Sequence, residues 1–124
     1  MSPADRFARL PALLEADDDL RRRGRWLACD CRIDIGAEPF FLAIRDGVIT
    51  RLERGSRLMR PTAFTFRASD EAWTEHWKPM PGPGWHDLFA LTKRGAASVE
   101  GDIRPFLQNL QYFKDLLALP RGRN

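Results

Sequence analysis

Residues 40–52 read FFLAIRDGVITRL, in which the pair Asp46-Gly47 separates two largely apolar runs. An Asp-Gly pair in this position is a strong hairpin signal, because glycine accepts the positive φ that a type I′ turn requires. The pattern predicts two antiparallel strands, residues 40–45 and 48–52, joined by a tight turn.

Three other segments have the two-residue period of a half-buried strand. In residues 27–35 the apolar side chains share one face: Leu27, Cys29, Cys31, Ile33 and Ile35. The other face carries Asp30, Arg32 and Asp34, which we interpret as solvated cross-strand partners. Residues 62–68 place Phe64, Phe66 and Ala68 on one face, and residues 96–100 form a last short strand. Together these segments predict an antiparallel sheet with one apolar face.

Helical periodicity occupies both ends of the chain and the segment after the fourth strand. Residues 3–24 predict a helical segment that starts at Ser2-Pro3, kinks or restarts at Pro11 and stops at Gly24. Ser69 caps a short helix, residues 79–84 form a Pro/Gly loop, and a second short helix runs over residues 85–94. Asp102 caps a final helix with this apolar stripe: Ile103, Phe106, Leu107, Leu110, Phe113, Leu116 and Leu117.

The composition is typical of a single globular domain, residues 1–124, with 44% hydrophobic and 30% charged residues. No apolar run reaches the ~18 residues of a membrane span. Cys29 and Cys31 lie on one strand face at or beyond the limit for a disulfide, so we expect reduced thiols and a cytoplasmic location.

The charge pattern gives no sign of a nucleic-acid partner. The net charge of +3 does not demand a polyanion. Residues 17–23, DDDLRRR, place each acid four residues before an arginine, as on a solvated helix end. We therefore predict no nucleic-acid binding, and the sequence leaves open a transient contact of the Arg21–Arg25 cluster with an anionic membrane surface.

Candidate catalytic and metal-binding residues are few. His76 and His86, beside Glu75 and Asp87, lack the spacing of a known zinc signature. The sequence holds no Gly-x-Ser-x-Gly elbow, phosphate-binding glycine loop or His-Glu-x-x-His motif. We predict no catalytic residue, no metal and no cofactor, and an enzyme site around the two histidines is the least favoured interpretation.

Aromatic residues are concentrated in the second half of the chain. Trp73, Trp77 and Trp85 flank the Pro/Gly loop, and several phenylalanines lie between Phe64 and Phe113. Most of these residues suit ordinary core packing. Two short helices joined by such a loop and facing a sheet are also suited to enclose an apolar pocket, which is typical of small-molecule sites.

Three motifs in order resemble the sterol carrier protein type 2 (SCP2) family. They are the hairpin turn Ile44-Arg45-Asp46-Gly47-Val48, the helix entry Ala68-Ser69-Asp70-Glu71-Ala72-Trp73, and the run from Phe89-Ala90-Leu91 through Lys93-Arg94-Gly95 to Ser98-Val99-Glu100-Gly101-Asp102. The likeness covers residues 26–119. It implies an α+β fold in which helices cover a five-stranded, mainly antiparallel sheet, with a hydrophobic tunnel between the two layers.

The resemblance also implies non-catalytic binding or carriage of a sterol, fatty acyl chain, phospholipid or isoprenoid. We predict that the aromatic and apolar residues of the second half line the cavity: Phe64, Phe66, Trp73, Trp77, Trp85, Phe89, Phe106 and Leu110. The alternative is an interaction or scaffold module with a filled tunnel, for example an accessory factor in a lipid or quinone biosynthetic assembly. The sequence leaves open a homodimer. The loop before Trp85 is bulkier than the family pattern and is positioned to reshape or plug the tunnel.

Overall fold

Five strands form one sheet in the order β3-β2-β1-β4-β5 in the computed structural model, which describes residues 1–55 and 60–121. The strands are β1 (Ala28–Ile35), β2 (Glu38–Arg45), β3 (Val48–Arg54), β4 (Phe64–Ala68) and β5 (Ala97–Gly101). Neighbouring strands pair antiparallel except β1 and β4, which run parallel. The α+β fold with a mainly antiparallel sheet is therefore confirmed. The fully antiparallel pairing expected from the residue pattern is wrong at β1–β4, because alternation of side chains is the same for both pairings.

The hairpin between β2 and β3 has the predicted turn. Asp46 has φ 56° and Gly47 has φ 76°, so both central residues adopt the positive φ of a type I′ turn. A Cβ atom on Gly47 would lie 2.6 Å from the Arg21 carbonyl oxygen and 2.8 Å from that of Gly24. Glycine at this position therefore lets the N-terminal helices approach the turn closely.

Seven short helices accompany the sheet in the described part of the chain. They are α1 (Pro3–Phe7), α2 (Leu10–Glu15), α3 (Asp18–Arg23), α4 (Asp70–His76), α5 (Leu88–Lys93), α6 (Arg104–Gln108) and α7 (Leu110–Leu117). The N-terminal helical segment is divided into three because each part has its own start. The Ser2 hydroxyl accepts the Asp5 N–H at 3.1 Å, Pro11 occupies the first turn of α2, and the Asp17 carboxylate accepts the Leu20 N–H at 3.0 Å.

The predicted single C-terminal helix is wrong, because the chain breaks at Asn109 between α6 and α7. Asn109 has φ −124° and ψ 36°, and its side-chain amide donates to the Pro105 carbonyl at 3.0 Å. The apolar stripe continues across this break, so hydrophobic periodicity does not reveal it. The Asp102 carboxylate accepts the Arg104 N–H at 3.1 Å, but Ile103 is the N-cap of α6. Helix α5 begins at Leu88, three residues later than predicted.

The two faces of the sheet differ in chemistry. The face that contacts the helices is apolar, and its side chains join those of α1–α7 in one core. The other face carries ion pairs, including Arg45 to Asp30 at 2.8 Å and Arg32 to Asp34 at 2.7 Å. The predicted solvated state of Asp34 is wrong, since only 7% of the residue is exposed between its arginine neighbours. Within residues 1–55 and 60–121, no helix is long and apolar enough to cross a membrane.

Candidate functional site

Helix α4 positions two indole rings against the sheet. The Ser69 hydroxyl accepts the Ala72 N–H at 3.1 Å and starts the helix, so Trp73 and Trp77 lie one turn apart on its inner side. Their rings stack at 5.0 Å between centroids. The Trp73 Nε1–H donates to the Asp34 carbonyl at 3.0 Å, and the Trp77 Nε1–H donates to the Leu117 carbonyl at 2.7 Å. Both indoles are fully buried, and each is held by the stacking of its ring and by the hydrogen bond of its N–H group.

The rings of β4 and α6 extend this stack across the sheet. Phe66 lies 5.6 Å from Trp73 and 6.1 Å from Phe106, measured between ring centroids. Phe64 lies 5.3 Å from Phe106, and Phe113 of α7 lies within 6 Å of both. Five of the eight predicted lining residues are therefore fully buried and form one continuous aromatic cluster. Their rings contact one another and occupy the space between sheet and helices.

The other three predicted residues lie nearer the surface. Phe89 on α5 packs edge-on against Phe106 at 6.3 Å, and 38% of the residue is exposed. Leu110 and Trp85 are partly buried against the core. The Arg94 guanidinium lies 3.9 Å from the centroid of the Trp85 ring.

The apolar residues on the elements around Phe106 are only partly covered. Val99 on β5 faces the same side as Phe66, its partner in the strand register. Ile103 and Leu107 lie one turn apart next to Phe106, with 39% and 47% of each residue exposed. We call these partly exposed residues the α5–α6 rim: Phe89, Val99, Ile103, Leu107 and Leu110. The rim adjoins the aromatic cluster through the contact of Phe89 with Phe106.

Sequence reasoning missed the N-terminal contribution to the aromatic cluster. Phe7 of α1 packs edge-on against Phe40 at 4.9 Å and is stacked near Trp77 at 6.2 Å. Arg6 donates to the carbonyls of Trp77 and Pro120, which holds α1 to α4 and to the C-terminal turn. The helical spacing of Phe7 in the sequence signals a buried residue, but spacing alone does not identify its partners.

His76 is a buried polar residue at the end of α4, with 1% exposed. Its Nδ1 lies 2.8 Å from the Trp85 carbonyl oxygen, so Nδ1 carries the proton and donates to it. Arg121 donates to the His76 carbonyl at 3.0 Å. Burial lowers the pKa of His76, which keeps the imidazole neutral. His86 is exposed, and the two histidines form no shared site.

The cysteine pair is part of the core. Cys29 and Cys31 are buried free thiols on the inner face of β1. The neighbouring Cys29 thiol and burial raise the pKa of Cys31 well above its usual value, so this thiol stays protonated. The described part of the chain contains no group of three or more His, Cys, Asp or Glu side chains able to hold a metal ion.

Four surface pockets are lined by residues outside the aromatic cluster. Four solvent-open pockets lined by described residues have volumes of about 430, 220, 520 and 280 Å³, and none of the eight predicted lining residues borders these four. The pocket of about 430 Å³ lies between the β4–α4 and α5–β5 connections and is lined in part by Arg67 and Asp70. Its mixed polar lining does not suit an apolar chain.

Comparison with known proteins gives a fold but no sequence family. No family model and no curated protein matches the chain. The crystal structure of sterol carrier protein 2 aligns with a TM-score of 0.72 over 100% of this chain and 98% of that one, at 12% identity. The SCP2 structure of the ubiquinone synthesis protein UbiJ aligns with a TM-score of 0.58 over 91% of this chain and 85% of that one, at 20% identity.

A third structure is that of a palmitated protein. The solution structure of palmitated SCP2L2 from Aedes aegypti aligns with a TM-score of 0.57 over 100% of this chain and 98% of that one, at 14% identity. Together the three structures show that this chain has the SCP2 fold. The resemblance deduced from the Asp46-Gly47 turn, the Ser69 helix entry and the Val99–Asp102 motif is confirmed at the level of fold.

Proposed function

We propose that the protein binds an apolar ligand, a fatty acyl or isoprenoid chain, without catalysing a reaction. The observation that supports this most directly is the α5–α6 rim, a set of partly exposed apolar side chains around the buried ring of Phe106. Three proteins of the same fold carry names that refer to sterol carriage, palmitate or ubiquinone synthesis. Partly exposed apolar residues beside an aromatic interior are the feature that this function needs.

The driving force would be removal of apolar surface from water. Burial contributes ~0.8 kcal/mol per methylene group, so a chain of about twelve carbons retains several kcal/mol after the costs of ordering it. The ligand requires no hydrogen bond along its length. An apolar groove with few polar groups is therefore sufficient.

The closed aromatic cluster requires that some side chains move when a ligand binds. Trp73 and Trp77 are poor candidates, because each indole N–H is committed to a backbone carbonyl and each ring is stacked on the other. Phe89 packs edge-on against Phe106, and 38% of the residue is exposed. We infer that Phe89, Phe106 and Leu110 contact the ligand, while Phe64, Phe66, Trp73 and Trp77 form the rigid floor and Trp85 borders the entrance.

Ligand binding can be tested with purified protein. Native mass spectrometry followed by denaturing extraction detects a co-purifying lipid, and displacement of the neutral fluorophore N-phenyl-1-naphthylamine by dodecanol measures apolar binding. We expect Phe89→Asp to weaken dodecanol binding, because it places a charge on the α5–α6 rim. Met80→Asp is the matched control, since Met80 is an exposed apolar residue outside the rim. No bound lipid and no dodecanol binding would overturn the proposed function.

The contacts among the rings favour a second candidate, an interaction module with a filled interior. Six fully buried rings contact their neighbours at 5.0–6.1 Å between centroids: Phe64, Phe66, Trp73, Trp77, Phe106 and Phe113. A clean apo dimer that takes up no fatty acid or dodecanol would support this module over the carrier. For either candidate we propose a cytoplasmic site of action, since two free thiols suit a reducing compartment.

A further inference from the structure

We propose that Lys114 recognises the anionic headgroup of an amphiphilic ligand at the α5–α6 rim. This inference rests on the proposed function and makes it more specific: the ligand is an apolar chain that ends in a carboxylate or phosphate. The chain would lie along the rim above Phe106, and the headgroup would lie at the boundary with water.

The position of Lys114 supports this assignment. Its Nζ atom lies 5.1 Å from the centroid of the Phe89 ring, and Phe89 in turn packs on Phe106. Only 26% of the lysine side chain is exposed, so its methylene groups are packed while the ammonium group stays near solvent. A cation placed at the mouth of an apolar groove selects ligands that carry an anion at one end.

The partner of Lys114 is exchangeable. The ammonium group pairs with Asp87 Oδ1 at 3.0 Å, and the Asp87 side chain is 27% exposed. Asp87 occupies the N-cap position of α5, yet its carboxylate makes no capping hydrogen bond there. Aspartate is one of the preferred N-cap residues, because its carboxylate accepts a backbone N–H of the first turn.

These observations define two alternative arrangements of the same groups. Without a ligand, Asp87 neutralises Lys114 and leaves the first turn of α5 without a side-chain cap. When a ligand anion pairs with Lys114, Asp87 is released to cap α5, so the helix gains a hydrogen bond as the lysine changes partner. The ion pair with Asp87 therefore keeps the Lys114 ammonium group in position, and a ligand anion can replace Asp87 as its partner.

The test compares ligands that differ only at the headgroup. Dodecanoate, dodecyl phosphate and dodecanol are each used to displace N-phenyl-1-naphthylamine from the full chain, below their micelle-forming concentrations. We expect the wild-type protein to bind one or both anions about tenfold more tightly than dodecanol. Lys114→Met removes the charge but keeps the apolar stem, and we expect it to abolish that preference without weakening dodecanol binding. Lys93→Met is the matched control, because Lys93 is an exposed lysine at the end of α5.

Each outcome has a distinct meaning. Preference for carboxylate over phosphate identifies a fatty acid, and the reverse identifies a phosphorylated lipid. Equal binding of all three ligands, or an anion preference that survives in Lys114→Met, overturns the headgroup assignment but leaves the proposed function standing. If none of the three displaces the probe, both fail. Asp87→Asn removes the competing carboxylate and is expected to raise anion affinity several-fold. Unchanged or weaker anion binding would overturn the exchange.

Discussion

The interior of this protein has two ends that are built from similar residues but closed to different degrees. At one end Phe7, Phe40, Trp73 and Trp77 are fully buried, and we call this set the closed end. At the other end lies the α5–α6 rim, in which 38% of Phe89 is exposed to solvent. Apolar character does not explain the difference, since both ends consist of apolar side chains, with four rings at the closed end and one in the rim.

An additional helix over the closed end explains the difference in exposure. Helix α1 packs over α4 at the closed end, and Arg6 ties the two together by donating to the Trp77 carbonyl. Phe89 packs against Phe106, its ring centroid lies 5.1 Å from the Lys114 ammonium group, and 38% of the residue is exposed. We therefore expect stability to depend mainly on the closed end and, under the proposed function, ligand contact to fall mainly on the rim.

The strongest test of this division truncates one ring from each end. Trp77→Ala is expected to lower the free energy of unfolding by about 3–5 kcal/mol, because it leaves a cavity and an unpaired carbonyl. Phe89→Ala is expected to lower it by about 1 kcal/mol, because the ring is already partly in water. Urea unfolding followed by circular dichroism measures both values. Equal losses at the two positions would contradict the division.

A smaller change removes only the hydrogen bond of an indole. Trp73→Phe keeps an aromatic ring but leaves the Asp34 carbonyl without its indole donor, and we expect a loss of about 1–3 kcal/mol. Trp26→Phe is the matched control, since 86% of Trp26 is exposed and a surface exchange changes stability by about 0.5 kcal/mol or less. Similar losses in the two variants would mean that the indole N–H does not hold the closed end.

The sequence predicts most of the local structure of both ends, for identifiable reasons. The Asp46-Gly47 turn and the Ser69 cap are set by neighbouring residues, and both are observed. The break at Asn109 is not predictable from periodicity, because two helices with a short break can carry one continuous apolar stripe. The parallel pairing of β1 and β4 is also not predictable, because the alternation of side chains is the same in parallel and antiparallel strands.

The sequence predicts which large rings are buried together but not how they are arranged, and their contact with a ligand stays a prediction. The sequence identifies the large rings, and five of them do form one cluster: Phe64, Phe66, Trp73, Trp77 and Phe106. Whether such rings line an open space or fill it depends on contacts between residues far apart in the chain. The pairing of Phe7 with Trp77 is an example, because it joins the two ends of the sequence.

Acid is expected to weaken the region between the closed end and the loop before α5. Burial lowers the pKa of His76 below its usual 6.5, so the unfolded chain binds a proton more readily than the folded one. The stability from neutral His76 is complete above pH 6.5 and is lost as the pH falls below that value through the lowered pKa. Asp87, His86 and Arg121 are the charged or titratable groups that act on this imidazole.

Thermal unfolding between pH 5 and pH 8 measures this dependence, with pH taken in about half-unit steps. His76→Asn keeps a donor toward the Trp85 carbonyl and removes the titrating group, so its stability should vary less with pH than that of the wild type. His86→Asn is the control, because His86 is exposed and its replacement should change the dependence much less than His76→Asn. If the pH dependence persists in His76→Asn but vanishes in His86→Asn, then His86 and not His76 causes it.

The smallest expected change in the free energy of unfolding, and the most direct test of function, comes from a substitution in the α5–α6 rim. Leu107→Ser should alter the free energy of unfolding by about 0.5 kcal/mol or less, because 47% of Leu107 is exposed. If a bound chain covers this residue, the same substitution removes roughly half of a leucine burial and weakens dodecanol binding about threefold to tenfold. Met80→Ser changes an exposed apolar residue outside the rim and should leave binding unchanged. Parallel urea unfolding and probe displacement separate the two effects, and equal affinities in the two variants would place the ligand elsewhere.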